Sequence, residues 1–247
     1  MMSVIVTMAG LGSRFTKAGY TLPKYRLLAR GRTLFDWSLE SLLAYREEPL
    51  VLAMLEAEDG QWLEQAARTA GFANVRIHRR PALSSGQAQT AYDALALVDP
   101  QAPLWIYNID TYVSQGMSPG DMAGASGCIH VFGSEDPGMS YVAHGPDGLE
   151  VRRIVEKQVI SRWATVGMYG FGSAALFAHY YCAAYQDGRA PLVNGERYIA
   201  PMYQLMLDDG LRLVAPRLVP QAVQVLGTPA QLMAFDPLAL PPVGNLG

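Results

Sequence analysis

Cysteine is nearly absent: only Cys128 and Cys182 occur in 247 residues, which excludes a disulfide framework and fits a reducing compartment. Charge is sparse as well. Charged residues make up 17% of the chain and the net charge is -3, with no block of one sign, so neither a nucleic-acid footprint nor a polybasic membrane patch is expected. No apolar run is long enough to cross a bilayer, and the opening MMSVIVTMAG has no basic segment and too short an apolar stretch for a signal peptide. The expectation is a cytoplasmic protein with no nucleic-acid or membrane partner, acting on something small. Hydrophobic residues are not lacking: at 50% they suffice for a sizeable core.

What is present is an alternation of patterns. Val4 to Met8 is a continuous apolar run ending at Gly10, as in a strand covered on both faces of a parallel sheet. Thr33 caps a following helix, with Asp36 three residues on in a capping-box arrangement and Leu34, Leu39, Leu42 and Leu43 as its apolar stripe. Leu50 to Leu55 reads as a strand, Gln61 to Ala70 as a helix closed by Gly71, and Asn74 to His78 as a strand. Gly86 opens a helix through Val98, and Pro103 to Asn108 is a strand ending in NID. This predicts an α/β, Rossmann-like three-layer α/β/α fold with a mostly parallel central sheet, whose ligands sit at strand carboxyl ends. Both AGLGSRF and NID fall at such ends.

From Gly127 the pattern changes to short strand-like runs at Cys128 to Phe132, Tyr141 to His144, Leu149 to Val155 and Thr165 to Phe171. Helices are expected near Ser173 to Tyr185 and Glu196 to Asp209. Leu211 to Ala215, Val223 to Leu226, a short helix from Pro229 and a proline-rich tail follow. No repeat or low-complexity linker divides the chain, so one domain over residues 1–247 is expected, with halves at 1–126 and 127–247.

The stretch behind the first strand, MAGLGSRFTKAGYTLPKY, holds three glycines, one arginine and two lysines. Glycine lets the backbone approach a phosphate closely and offer it N–H donors. The dinucleotide fingerprint is incomplete, because Phe15 stands where a third glycine would pack a helix on the sheet, and the G-K-[ST] of a P-loop is missing. What remains is G-x-G-x-R followed by Pro23-Lys24. Two cations bracketing a glycine loop suit a triphosphate, arginine as a fork and lysine as a point charge; an ordinary βα turn with solvent-facing cations is the alternative.

Other chemistry is set aside. GMSPG, residues 116–120, matches a nucleophile elbow, but Pro119 has no N–H to donate to an oxyanion. Cys128 and His130 share a strand face, yet no second pair has zinc spacing, so they read as core. Phe177, Tyr180, Tyr181 and Tyr185 have helical spacing and read as core or a subunit contact.

AGLGSRFTKAGYTLPK resembles the G-x-G-x-R…P-K signature of the nucleoside-triphosphate:sugar-1-phosphate nucleotidyltransferases, the pyrophosphorylase family. It is most similar to the short bacterial members of capsule and surface-polysaccharide pathways. The resemblance continues along most of the chain: SSGQAQTAYDAL is similar to the base-recognition segment, YNID to the metal-binding N-x-D, VEKQ to E-K-P, TVGMYGF to the G-x-Y strand, NGERYIAPMY to the late acceptor-site helix and LGTPAQL to the closing G-T-P. It implies a GT-A-like fold with a nucleotide-binding first half and an acceptor-binding second half. It also implies attack by a phosphate oxygen of the acceptor on the α-phosphorus of an NTP, pyrimidine favoured, with release of pyrophosphate. An ionised nucleophile needs no general base, so catalysis reduces to alignment and charge neutralisation.

By the same resemblance, Ala9, Gly10, Gly12 and Ser13 hold the triphosphate, Arg14 stabilises the leaving pyrophosphate, and Lys24 bridges the α-phosphate and the incoming phosphate. Gly86 and Gln87 read the base. Lys157 holds the acceptor's phosphate, while Glu156, Gly167 and Glu196 contact the rest of the acceptor. Asp110 holds a Mg²⁺ ion. Each has a plainer reading: Glu156-Lys157 as a surface charge pair, Asp110 as a turn cap, Glu196 as a helix-start acid. Two positions depart from the pattern. Val225 stands where many members carry a second metal-binding aspartate, and Gln158 replaces the proline of E-K-P. A glycosyltransferase consuming a nucleotide-sugar and a non-catalytic nucleotide-binding homologue stay open, as does assembly into a homo-oligomer.

Overall fold

A computed structural model describes residues 2–239 of the chain. Its first half winds as strand β1 (Ser3–Thr7), helix α1 (Ser13–Lys17), a ribbon of β2 (Leu28–Ala29) and β3 (Arg32–Thr33), α2 (Leu34–Glu40), β4 (Leu50–Leu55), α3 (Gly60–Thr69), β5 (Val75–Arg80), α4 (Gln87–Asp93) and β6 (Leu104–Asn108). β1 pairs in parallel with β4 and with β6, and β4 with β5. The spatial order β5-β4-β1-β6 reverses its direction of winding between β1 and β6. A crevice therefore opens beyond the carboxyl ends of those two strands.

The second half continues as β7 (Thr111–Val113), β8 (Gly127–Gly133), β9 (Ser140–His144), β10 (Val151–Glu156), β11 (Trp163–Phe171), α5 (Ala174–Tyr185), α6 (Ala200–Asp208), β12 (Leu213–Val214), β13 (Val223–Val225) and α7 (Pro229–Phe235). β11 runs antiparallel to β6, β8 and β9, so one nine-stranded mixed sheet passes through both halves. The expected α/β class with flanking helices stands. Its parallel strands β1, β4, β5 and β6 belong to the first half, and after Gly127 the pairing is antiparallel except for β12 beside β8.

Local chemistry accounts for many of the boundaries. Thr33 and Asp36 form a reciprocal capping box, Asp36 N–H to Thr33 Oγ1 at 3.1 Å and Thr33 N–H to Asp36 Oδ2 at 3.0 Å. Ser118 caps a single helical turn with Asp121 in the same manner, which gives GMSPG a structural role. Cys128, His130, Phe177, Tyr180 and Tyr181 are all buried, as the core reading requires. Three expectations fail. The helix expected from Glu196 starts at Ala200, because Pro201 fits only in a first turn and residues 193–196 close a tight bridge first. α2 stops at Glu40, so Leu43 falls outside its stripe and is exposed, while α4 ends at Asp93 and passes into a 3-10 turn.

The glycine loop is not a bare turn. Residues 13–17 coil into α1, and Phe15 turns into a small core with Tyr20, Leu27, Leu34, Leu226 and Leu232, edge-on to Tyr20 at 5.4 Å. Phe15 thus anchors the loop that the cations decorate. Phe15→Ala is expected to lower the unfolding free energy by about 3 kcal/mol in a urea titration, the usual range for emptying a buried phenylalanine site.

Candidate active site

Two clefts, of about 510 and 500 Å³, adjoin at the carboxyl ends of β1 and β6 and share Gln87, Asn108, Asp110 and Tyr198 in their walls. Ala9, Gly10, Gly12, Lys24, Gly86 and Glu196 line the second cleft. Arg14, Glu156, Lys157 and Gly167 line the first. Every residue singled out above therefore lines one cleft or the other, except Ser13, which begins α1 outside both walls.

Each side chain is placed by its element. Gly12 adopts φ 60, which lets the chain turn from β1 into α1. Pro23 is extended and starts the tight turn that carries Lys24, whose Nζ reaches Asp110 Oδ2 at 2.8 Å across the crevice. Neither Lys24 nor Asp110 is a solvent-facing residue of a simple turn: their side chains are 18% and 29% exposed. Gly167 has φ +81 where the pairing of β11 with β8 shifts register, and a Cβ there would strike the Asn108 side chain at 2.3 Å. That bulge brings Thr165, Val166 and Tyr169 into the first cleft.

Glu156 ends β10 and is only 9% exposed, so it is no surface charge. Burial raises its carboxyl pKa above the ordinary value of 4.5, and the charge of Glu196 adds to this, while the Ser140 hydroxyl and Lys157 oppose it. Ser140 Oγ donates to Glu156 Oε2. Tyr169 stands nearby with its hydroxyl pushed up to about 12 by burial and then by Glu156. Lys157 takes a left-handed backbone at φ 54, with its N–H on the Met139 carbonyl at 3.0 Å. Its ammonium donates to the Tyr198 hydroxyl oxygen and lies 4.4 Å from that ring's centroid.

Sequence reasoning gave no role to Ser140 or Tyr198 and met Asn108 and Tyr169 only inside N-x-D and G-x-Y. Nothing in the spacing of these motifs separates a wall residue from a core one. Val225 sits in β13, which pairs with β7 and sets Val225 opposite Thr111 in the first cleft's wall. The position expected for a second carboxylate thus faces the site as an apolar side chain. Among the described residues no group of three or more His, Cys, Asp or Glu is placed to hold a metal.

A nucleoside-diphosphate-sugar pyrophosphorylase from Vibrio cholerae RC9 is similar to the chain at 29% identity over 95% of this chain and 99% of that one, with a TM-score of 0.86. The inositol-1-phosphate CTP transferase of T. maritima shares the fold at 15% identity over 95% and 96%, TM-score 0.71. So does a UTP-bound UGPase from Acinetobacter baumannii, at 18% identity over 95% and 92%, TM-score 0.71. No protein-family model and no curated protein matches the sequence.

Because its pKa is raised by burial, Glu156 binds its proton more tightly in the folded protein than in the unfolded chain. Its contribution to stability therefore falls as pH rises through the interval above 4.5. In calorimetry Glu156→Gln is expected to raise Tm over the wild type at about pH 8, and the gain is expected to shrink as the pH falls. An equal gain at every pH would refute burial as the cause.

Proposed function

We propose that the chain is a member of the nucleoside-triphosphate:sugar-1-phosphate nucleotidyltransferase family, a reading its similarity to a nucleoside-diphosphate-sugar pyrophosphorylase supports, and that it transfers a nucleoside monophosphate from an NTP to a small phosphorylated acceptor, releasing pyrophosphate. One observation carries the reading. Arg14 and Lys24 from the first loop, Asp110 behind β6 and Lys157 behind β10 line two adjoining clefts of similar size, a plan suited to two substrates joined at phosphates. We assign the second cleft, floored by Ala9, Gly10 and Gly12 and closed by Gly86 and Gln87, to the nucleotide. The first, walled by Glu156, Lys157, Gly167 and Tyr169, takes the acceptor.

In this scheme the acceptor phosphate is already ionised, so the chain's residues align and neutralise without moving a proton. Lys24 stands at the meeting of the clefts, where the α-phosphate and the attacking oxygen come together. Arg14 lines the first cleft and not the second, so its role toward the departing pyrophosphate requires the end of the triphosphate to reach past the shared wall of Asn108 and Asp110. Lys157 receives the acceptor's phosphate, and Glu156 accepts hydrogen bonds from its other end. Gln87 Nε2, buried without a hydrogen-bond partner, is free to donate to a base edge.

Asp110 fits a magnesium ion. It offers one part-exposed carboxylate, beside Asn108, whose buried Oδ1 has no hydrogen-bond partner. Magnesium commonly takes one or two carboxylates and completes its shell with phosphate oxygens and water, so the absence of a protein cage suits it. When bound it supplies Lewis-acid neutralisation of phosphate charge. With Val225 beside it in the first cleft's wall in place of an acid, Asp110 is the sole carboxylate proposed for it. A pyrimidine NTP, a surface-polysaccharide role and a cytoplasmic location belong to the proposal too. For the last, the supporting observation is that no helix among the described residues is long and apolar enough to cross a membrane.

The test follows pyrophosphate release with each NTP, Mg²⁺ and a panel of phosphorylated sugars and non-sugar acceptors. Release with one pair is expected, and Arg14→Ala or Lys24→Ala is expected to lower kcat/KM by about 10²-fold or more. Near-normal turnover in either variant removes its assigned role. Nucleotide binding without release from any pair would instead support the non-catalytic homologue that Val225 favours.

A further inference from the structure

Lysine is scarce in this chain: Lys17, Lys24 and Lys157 are the only three, and two of them face the clefts. A lysine ammonium is a compact charge on a flexible stem, so its partner decides where it stands. Lys24 has Asp110. Lys157 has Tyr198: its ammonium donates to the hydroxyl oxygen and lies 4.4 Å from the ring centroid, at the hydroxyl end of the ring.

Tyr198 lines both clefts, and the turn that carries it is fixed from two sides. On one side, Arg197 donates its backbone N–H to the Ser85 carbonyl and accepts at its own carbonyl from Ala88 N–H at 3.0 Å. On the other, the Tyr185 hydroxyl donates to the Tyr198 carbonyl. Gly86 lies inside the first contact at φ +125, where a Cβ would come within 2.6 Å of the Arg197 carbonyl oxygen. Only glycine permits this approach. The 84–88 loop on the nucleotide side and the turn that steers Lys157 on the acceptor side are thus stapled backbone to backbone.

We propose that Tyr198 is a positioning residue that fixes the Lys157 ammonium at the junction of the clefts, and that the 84–88 loop sets this position through the Arg197 backbone. Filling the nucleotide cleft then changes how the acceptor side receives a phosphate, and the coupling runs equally in the other direction. The proposal rests on the phosphate-binding role given to Lys157 above, but its spectroscopic test does not.

Protein labelled with ¹³Cε-lysine gives one ε-methylene signal for each of the three lysines, and that of Lys157 is identified by its loss in Lys157→Arg. Lying against the Tyr198 side chain, it is expected to be displaced from the signal of exposed Lys17. In Tyr198→Leu the displacement is expected to vanish. In Tyr185→Phe and Gly86→Ala, which keep both ring and lysine, it is expected to shrink. Inorganic phosphate is expected to move the Lys157 signal in the wild type and to bind about fivefold or more weakly in Tyr198→Leu, with Tyr198→Phe between. A Lys157 signal at the Lys17 position in the wild type, or unmoved in Tyr198→Leu, overturns the positioning. A signal unmoved in Tyr185→Phe removes the Tyr185 hold, and one unmoved both in Gly86→Ala and on adding an NTP to the wild type overturns the coupling; the NTP arm stands even if Gly86→Ala does not fold. Should the signals behave as expected while no substrate pair releases pyrophosphate, the positioning stands and the transferase reading falls.

Discussion

The parallel pairing of β1 with β4 on one side and β6 on the other is the constraint on which the site depends. Crossovers leave β1 and β6 toward opposite edges of the sheet, so the loops behind the two strands part and leave a crevice between them. Into it the first loop sends Lys24 and the second sends Asp110, 86 residues apart in the chain and 2.8 Å apart in space. β11 then pairs with β6 in the antiparallel sense, and its bulge at Gly167 turns the second half's side chains toward the same opening. A different neighbour for β6 would scatter all of these groups.

Around that opening the molecule gathers several groups in costly states. Glu156 is a carboxylate in a buried setting, Lys157 is a non-glycine residue in the left-handed region, and Asn108 and Gln87 each bury a polar atom that has no partner. Such features destabilise the free protein and persist where a ligand completes them. Elsewhere two buried ionisable side chains each have an opposite charge beside them: His130 is fully buried and meets Asp121 at 2.9 Å, and Arg80 is buried and meets Asp93. Stability there comes from such pairs and from the packed faces of the sheet.

Much of this was legible in local pattern. The run before Gly10, the box at Thr33 and Asp36, and the strand at 50–55 are set by short-range rules of covering, capping and β-propensity, and they form where those rules put them. Glu196 shows where such rules end. A helix-forming run extends through it, but Pro201 and the bridge of Val193 to Glu196 hold the helix back to Ala200. Phe15 shows the reverse. Its position broke a motif in the sequence, and in the fold it became the anchor of the loop, because Leu226 and Leu232 arrive from the far end of the chain to cover it.

By itself the sequence determined the alternation of elements, the glycine loop with its two cations, and the order of the motifs that resemble one family, since each depends on neighbours within a few residues. Only the tertiary structure decided which charged groups oppose one another. The Lys24–Asp110 pair, the burial of Glu156 and the hold of Tyr198 on Lys157 all join segments far apart in the chain, and no local pattern carries their geometry. The physical reason is that strand order, not strand identity, sets which loops meet. Strand order follows from how the whole sheet buries its two faces.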